Sequence, residues 1–146
     1  MTDIYFFILG LVNSLSLITI FMVRKNHLSL VKKYGWTYLI LSIPATIGLV
    51  LSLGEDVDAA YPVFYGIFLA FLVIEWLYDR VLKTDFRSDF RKNWPKLVPY
   101  LALYYAMNYG FVVMPWKENL VWGIIMAVIF VVQIVENLTG HGEKTD

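Results

Sequence analysis

Residues 4–23 read IYFFILGLVNSLSLITIFMV, a run without one charged side chain. At 1.5 Å of rise per residue, a helix of that length covers ~30 Å, the thickness of the hydrocarbon core of a bilayer. Outward from it, four further stretches share the character: 35–53, 61–82, 97–114 and 119–137. The first run lacks a basic segment before it and has Arg24 and Lys25 after it, the reverse of a cleaved secretory signal. Lipid offers backbone N–H and C=O groups no partner, and none of the runs alternates strictly as a barrel strand does. The expected fold is therefore all-α. It is a polytopic integral membrane bundle of five transmembrane helices, a single domain over residues 1–146 with no soluble domain.

Composition agrees. The chain is 59% hydrophobic and 16% charged, against ~45–50% and ~25% in soluble domains. That excludes an ordinary soluble enzyme, and 17% aromatic content at zero net charge excludes a disordered chain. The balanced charge gives no reason to expect a nucleic-acid partner. Absence of cysteine removes disulfides, thiolate nucleophiles and cysteine-held metals. His27 and His141 are the only histidines and lie outside the spans, so neither a bis-histidine haem within them nor a histidine zinc motif can form. No cofactor is expected.

Lysine and arginine orient the bundle. Arg24, Lys25, Lys32 and Lys33 follow the first span, whereas Glu55, Asp56 and Asp58 follow the second. Lys83, Arg87, Arg91, Lys92 and Lys96 follow the third. The expectation is a cell-membrane protein with its N-terminus outside and its C-terminus cytoplasmic. Tyr34, Trp36, Tyr38 and Trp94 fall at the inner boundary, and Tyr61, Trp116 and Trp122 near the outer one, as aromatic belts. Residues 83–91, KTDFRSDFR, repeat Lys83, Arg87 and Arg91 every four positions beside Phe86 and Phe90. This predicts a short interfacial helix between the third and fourth spans. Its basic stripe meets lipid phosphates, and Pro95 ends it.

Helices in lipid associate through close backbone approach and hydrogen bonds. Ala102, Ala106 and Gly110 form a small-residue ridge on the fourth span, with single steps at Gly66/Ala70, Gly123/Ala127 and Gly10/Ser14. Tyr100, Tyr104 and Asn108 lie about 200° from that ridge at ~100° per residue, with Tyr105 and Tyr109 alongside. Asn108 is expected either to bond Asn13, Ser14 or Ser16 on the first span or to line a cavity. Pro44 is expected to kink the second span, with Ser42 or Thr46 satisfying the carbonyl freed at Ile40. Gln133 and Glu136 read as snorkelling or capping residues at the end of the fifth span.

Glu75 is the sharpest single residue. An acid inside a span costs ~2.5–3.5 kcal/mol on insertion scales. No arginine or lysine stands at 71, 72, 78 or 79, while Asp79 follows one turn on. A carboxyl that carries and releases a proton is the expectation. The resulting site, built from Asn13, Ser16, Glu75, Tyr104, Tyr105 and Asn108, suits a protein that binds or transports a small solute or lipophilic ligand. Its expected partners are membrane lipids and a second copy or a larger membrane complex.

Asp85 and Asp89, with Glu75 and Asp79 at the same spacing upstream, resemble the paired DxxxD elements of intramembrane prenyltransferases. The resemblance covers one short motif, and the family's asparagine–aspartate signature is missing. It implies the alternative of a lipid-phosphate enzyme holding Mg²⁺ through Asp79, Asp85 and Asp89. In span number and aromatic content the chain resembles the tryptophan-rich sensory proteins, and in its intramembrane glutamate the small multidrug transporters, without sharing a motif with either.

Overall fold

The computed structural model describes residues 1–82 and 90–140, and among these every regular element is helical. Helix α1 is Thr2–Asn26, with Asp3 in its first turn and Arg24 and Lys25 in its last, each complementing the helix dipole. After His27 come α2 (Leu28–Tyr34), a 3₁₀ segment (Gly35–Leu41) and α3 (Ser42–Gly54). Helix α4 (Ala60–Trp76) ends in a π turn over Leu77–Val81. Helices α5 (Phe90–Glu118) and α6 (Leu120–Gly140) complete the chain.

Five of the resulting rods are long and apolar enough to cross a membrane: Thr2–Asn26, Leu28–Gly54, Ala60–Val81, Arg91–Glu118 and Leu120–Thr139. Eight of their ten ends lie beyond the apolar stretches, and Val81 and Leu120 fall one residue inside them. The interfacial helix expected at 83–91 falls mostly on 83–89, outside the described residues. So do Lys83, Asp85, Arg87 and Asp89. Arg91 belongs to α5, which also contains Pro95, Pro99 and Pro115. Pro95 therefore does not end a helix, a correction to the sequence reading. Pro95 and Pro99, the sixth and tenth residues of α5, each take one N–H out of the ladder, and the helix continues through both.

The second span also departs from expectation. Pro44 has no N–H for the Ile40 carbonyl, and the stretch before it, Gly35–Leu41, is 3₁₀ and not α-helical. Pro44 then sits in the first turn of α3, where no N–H is needed. Thr46 Oγ1 bonds Ser42 O at 2.8 Å, not the Ile40 carbonyl.

Helices α3, α4, α5 and α6 pack in chain order as a curved layer, and α1 lies in its hollow against α3, α5 and α6. Glycines allow the closest approaches. A Cβ on Gly10 would lie 2.7 Å from the Phe111 ring, and one on Gly110 would lie 2.2 Å from Phe64. Gly66 has nothing within 4 Å, so the expected Gly66/Ala70 step is not a contact. An aromatic layer fills the middle: Phe6 meets Tyr61, Tyr65 and Phe111 at 5.0–5.4 Å, and Phe68 meets Phe111 at 5.3 Å. Trp36, Trp94 and Trp116 are exposed as belt residues should be, while Tyr38 and Tyr61 are buried core residues, which corrects their assignment to the belts.

Candidate functional site

Five helical rods converge on a buried polar cluster in the half of the bundle nearer the basic connections. Helix α1 supplies Asn13, the 3₁₀ segment Tyr38, α4 Glu75, α5 Tyr100, Tyr104 and Met107, and α6 Gln133 and Asn137. Tyr38 donates its hydroxyl hydrogen to Asn13 Oδ1 at 2.6 Å. Asn13 Nδ2 points to the sulfur of Met107 at 3.9 Å, a weak acceptor. Across the cluster, Gln133 Nε2 donates to the Tyr104 hydroxyl oxygen at 2.7 Å, and the Asn137 side chain acts on the same phenol. Phe71 forms the floor, its ring 5.4 Å from Tyr100, 6.0 Å from Tyr104 and 6.5 Å from Tyr38.

Glu75 follows Phe71 by one helical turn, is half-buried, and acts electrostatically on the Tyr38 phenol. Asp79 is exposed although it lies four residues on. The cause is the π turn, closed by Leu82 N–H bonding Leu77 O at 2.9 Å. Its wider winding turns Tyr78 inward and carries Asp79 away from the line expected of an α-helix.

Of the six residues expected at the site, Asn13, Glu75 and Tyr104 come together. Asn108 is buried, but its Nδ2 bonds Tyr104 O of its own helix at 2.8 Å instead of reaching the first span. Back-bonding to i−4 satisfies the amide without any partner helix. Ser16 likewise bonds Val12 O at 2.7 Å. Tyr105 is exposed and touches the cluster only through its ring, 5.3 Å from Tyr104.

The sequence reading missed Tyr38, Met107 and Gln133. Gln133 is fully buried, at 0% exposure, and Glu136 one turn on is paired with Lys25 at 2.6 Å, so neither snorkels. Their spacing of three was the available signal: it places an amide and an acid on one helix face, which two residues reaching independently for water do not require. Gln133 Oε1 is buried without a hydrogen-bond partner. The cluster thus offers phenol, amide and thioether groups around one open acceptor, over an aromatic floor.

Among the described residues, no group of three or more His, Asp or Glu is placed to hold a metal ion. Comparison with family models, curated proteins and solved structures found no match to this chain.

Proposed function

We propose that this chain is an integral membrane protein that binds or carries a small polar solute within its helix bundle, with Glu75 as the group that takes up and releases a proton. Gln133 carries this reading. Its side chain is wholly buried, donates to Tyr104 and leaves Oε1 without a partner. In hydrocarbon an unsatisfied polar group costs several kcal/mol, so a bundle that only had to pack would place an apolar residue there. A solute N–H or O–H completes the amide, with Tyr38, Asn13 and Tyr104 as the remaining polar lining and Phe71 as the apolar wall. An ionisable residue within a span marks an ion or proton path more often than a packing contact.

In this reading the basic connections face the cytosol and the N-terminus lies outside, in the cell membrane. Lipids surround the bundle, and a second copy covers α5, where Tyr105 and Tyr109 are 48% and 60% exposed near mid-helix. Phenols at that depth have no water to bond, and a facing copy gives each a partner.

Two measurements test the proposal. Infrared difference spectra between acidic and alkaline buffer, taken in lipid, are expected to show a carboxylic C=O band that Glu75→Gln removes. Native mass spectrometry is expected to find a small-molecule adduct on wild type and none on Gln133→Leu. Identical difference spectra refute the proton role, and an adduct retained by Gln133→Leu refutes the site.

A further inference from the structure

The opposite end of the bundle holds a second feature that the inner cluster does not use. Met1, Thr2 and Tyr5 of α1, Gly48 and Leu51 of α3, Glu55 after it and Tyr65 of α4 line a cavity of about 110 Å³. This is room for several water-sized molecules, since about 10–15 Å³ suffices for one. Tyr65 is 0% exposed, and its hydroxyl has no hydrogen-bond partner. Gly48 makes room for it: a Cβ there would lie 2.4 Å from Tyr65 Cζ and 2.7 Å from its oxygen. A buried hydroxyl without a partner costs about 1–3 kcal/mol, so what completes it comes from the occupant of the cavity.

The charges around the cavity define that occupant. Among the described residues, Glu55 is the one charged side chain lining it, and the terminal ammonium of Met1 is matched by Asp3 at 3.1 Å. Thr2 Oγ1 donates to Glu55 Oε2 at 2.5 Å, which fixes the carboxylate on the cavity wall. A carboxylate accepts several hydrogen bonds, so Thr2 does not exhaust it. A neighbouring hollow adds Asp3, Asp58 and Glu118 against the Met1 ammonium and Lys117, which leaves this end of the bundle acidic on balance. Asp58 is held below the usual carboxylate range by the Ala60 N–H and by Lys117. Such a surface concentrates cations. Tyr5 and Tyr65 add aromatic rings against which a cation and a short carbon chain pack.

We infer that this cavity is a binding site for a primary ammonium group on a short carbon chain, held by the Glu55 carboxylate and the Tyr65 hydroxyl. Tyr5 gives a third oxygen. Its hydroxyl hydrogen is already donated to Pro44 O at 2.9 Å, so toward the ligand it acts as an acceptor. Three acceptors match the three N–H donors of an ammonium. The source is either a free amine or the headgroup of an aminolipid, because the site lies at one end of the rods. It stands apart from the inner cluster, since along α4 the order Tyr65, Phe68, Phe71 runs from this cavity through the aromatic layer to the cluster floor.

Ethanolammonium chloride is the probe, titrated into the full chain in nanodiscs of phosphatidylcholine and phosphatidylglycerol and followed by saturation-transfer NMR. Saturable binding is expected, weakened about tenfold or more by Glu55→Gln and about threefold to tenfold by Tyr65→Phe. Glu75→Gln should bind as wild type, which keeps this test separate from that of the inner site. Tyr65→Phe should also hold or raise the thermal midpoint, because it deletes only an unsatisfied hydroxyl. A second arm uses nanodiscs containing phosphatidylethanolamine. A rise in thermal midpoint there that Glu55→Gln abolishes, without binding of the free probe, identifies the headgroup as the source. Equal binding of ethanolammonium and neutral n-propanol overturns the proposal. So does the absence of both probe binding and a lipid-dependent rise, or persistence of both in Glu55→Gln.

Discussion

Tyr104 joins two helices through one oxygen, accepting from Gln133 on α6 at 2.7 Å while its ring packs on Phe71 of α4. Removal of that oxygen leaves Gln133 buried with neither end of its amide satisfied. Tyr104→Phe is therefore expected to destabilise the protein by about 1–3 kcal/mol. Gln133→Leu on the same background should recover most of that loss, because replacing both partners by apolar groups is close to neutral. Thermal unfolding of the two single variants and the double variant in one detergent checks the cycle. Additive losses would mean that the two side chains do not act as a pair. Asn108 makes a contrasting case, since its amide is content with a carbonyl of its own helix.

At the scale of elements, two departures from α geometry position the cluster. The 3₁₀ segment places Tyr38 in the core beside Asn13, and the π turn after Trp76 separates the environments of Glu75 and Asp79. The first follows from a proline without an N–H, and the second is closed by the Leu82 N–H on the Leu77 carbonyl. The contact between α4 and α5 depends on Gly110, over which the Phe64 ring lies closer than a Cβ permits. Gly110→Val should force these helices apart and cost about 1–3 kcal/mol, read as a lowered thermal midpoint. Gly66→Val is the matched control, since Gly66 has nothing within 4 Å and should shift the midpoint far less.

The whole molecule presents a basic end, with Arg24, Lys25, Lys32 and Lys33, and an acidic end, with Glu55, Asp56 and Asp58. Because the chain has no cysteine, single cysteines report orientation directly. A membrane-impermeant maleimide is expected to label Asp56→Cys on intact cells and Ser29→Cys only after permeabilisation. The reverse pattern would invert the proposed topology. Tyr109→Cys in the same series should give a disulfide-linked dimer upon oxidation if α5 faces a second copy, and monomer alone if it faces lipid. Both proposed sites lie inside one bundle, at opposite ends of a shared aromatic layer, so solute binding at one is separable from amine binding at the other.

Five apolar runs, the charges between them and the absence of cysteine were enough to establish an all-helical bundle with rods of membrane length. Those properties depend on composition along the chain, and hydrocarbon thickness converts them into geometry. Glu75, Asn13 and Tyr104 were also legible, because a polar group in an apolar run stands out. Tyr38 and Gln133 were not. A tyrosine or glutamine near the end of a span has the same local sequence whether it reaches for water or turns inward. Only the packing of α1 into the hollow of the other helices, with the 3₁₀ segment rotating Tyr38 inward, decides between the two. The same holds for Tyr65 and Glu55, ten residues apart in sequence and on different elements. Their shared cavity exists only where α1, α3 and α4 meet.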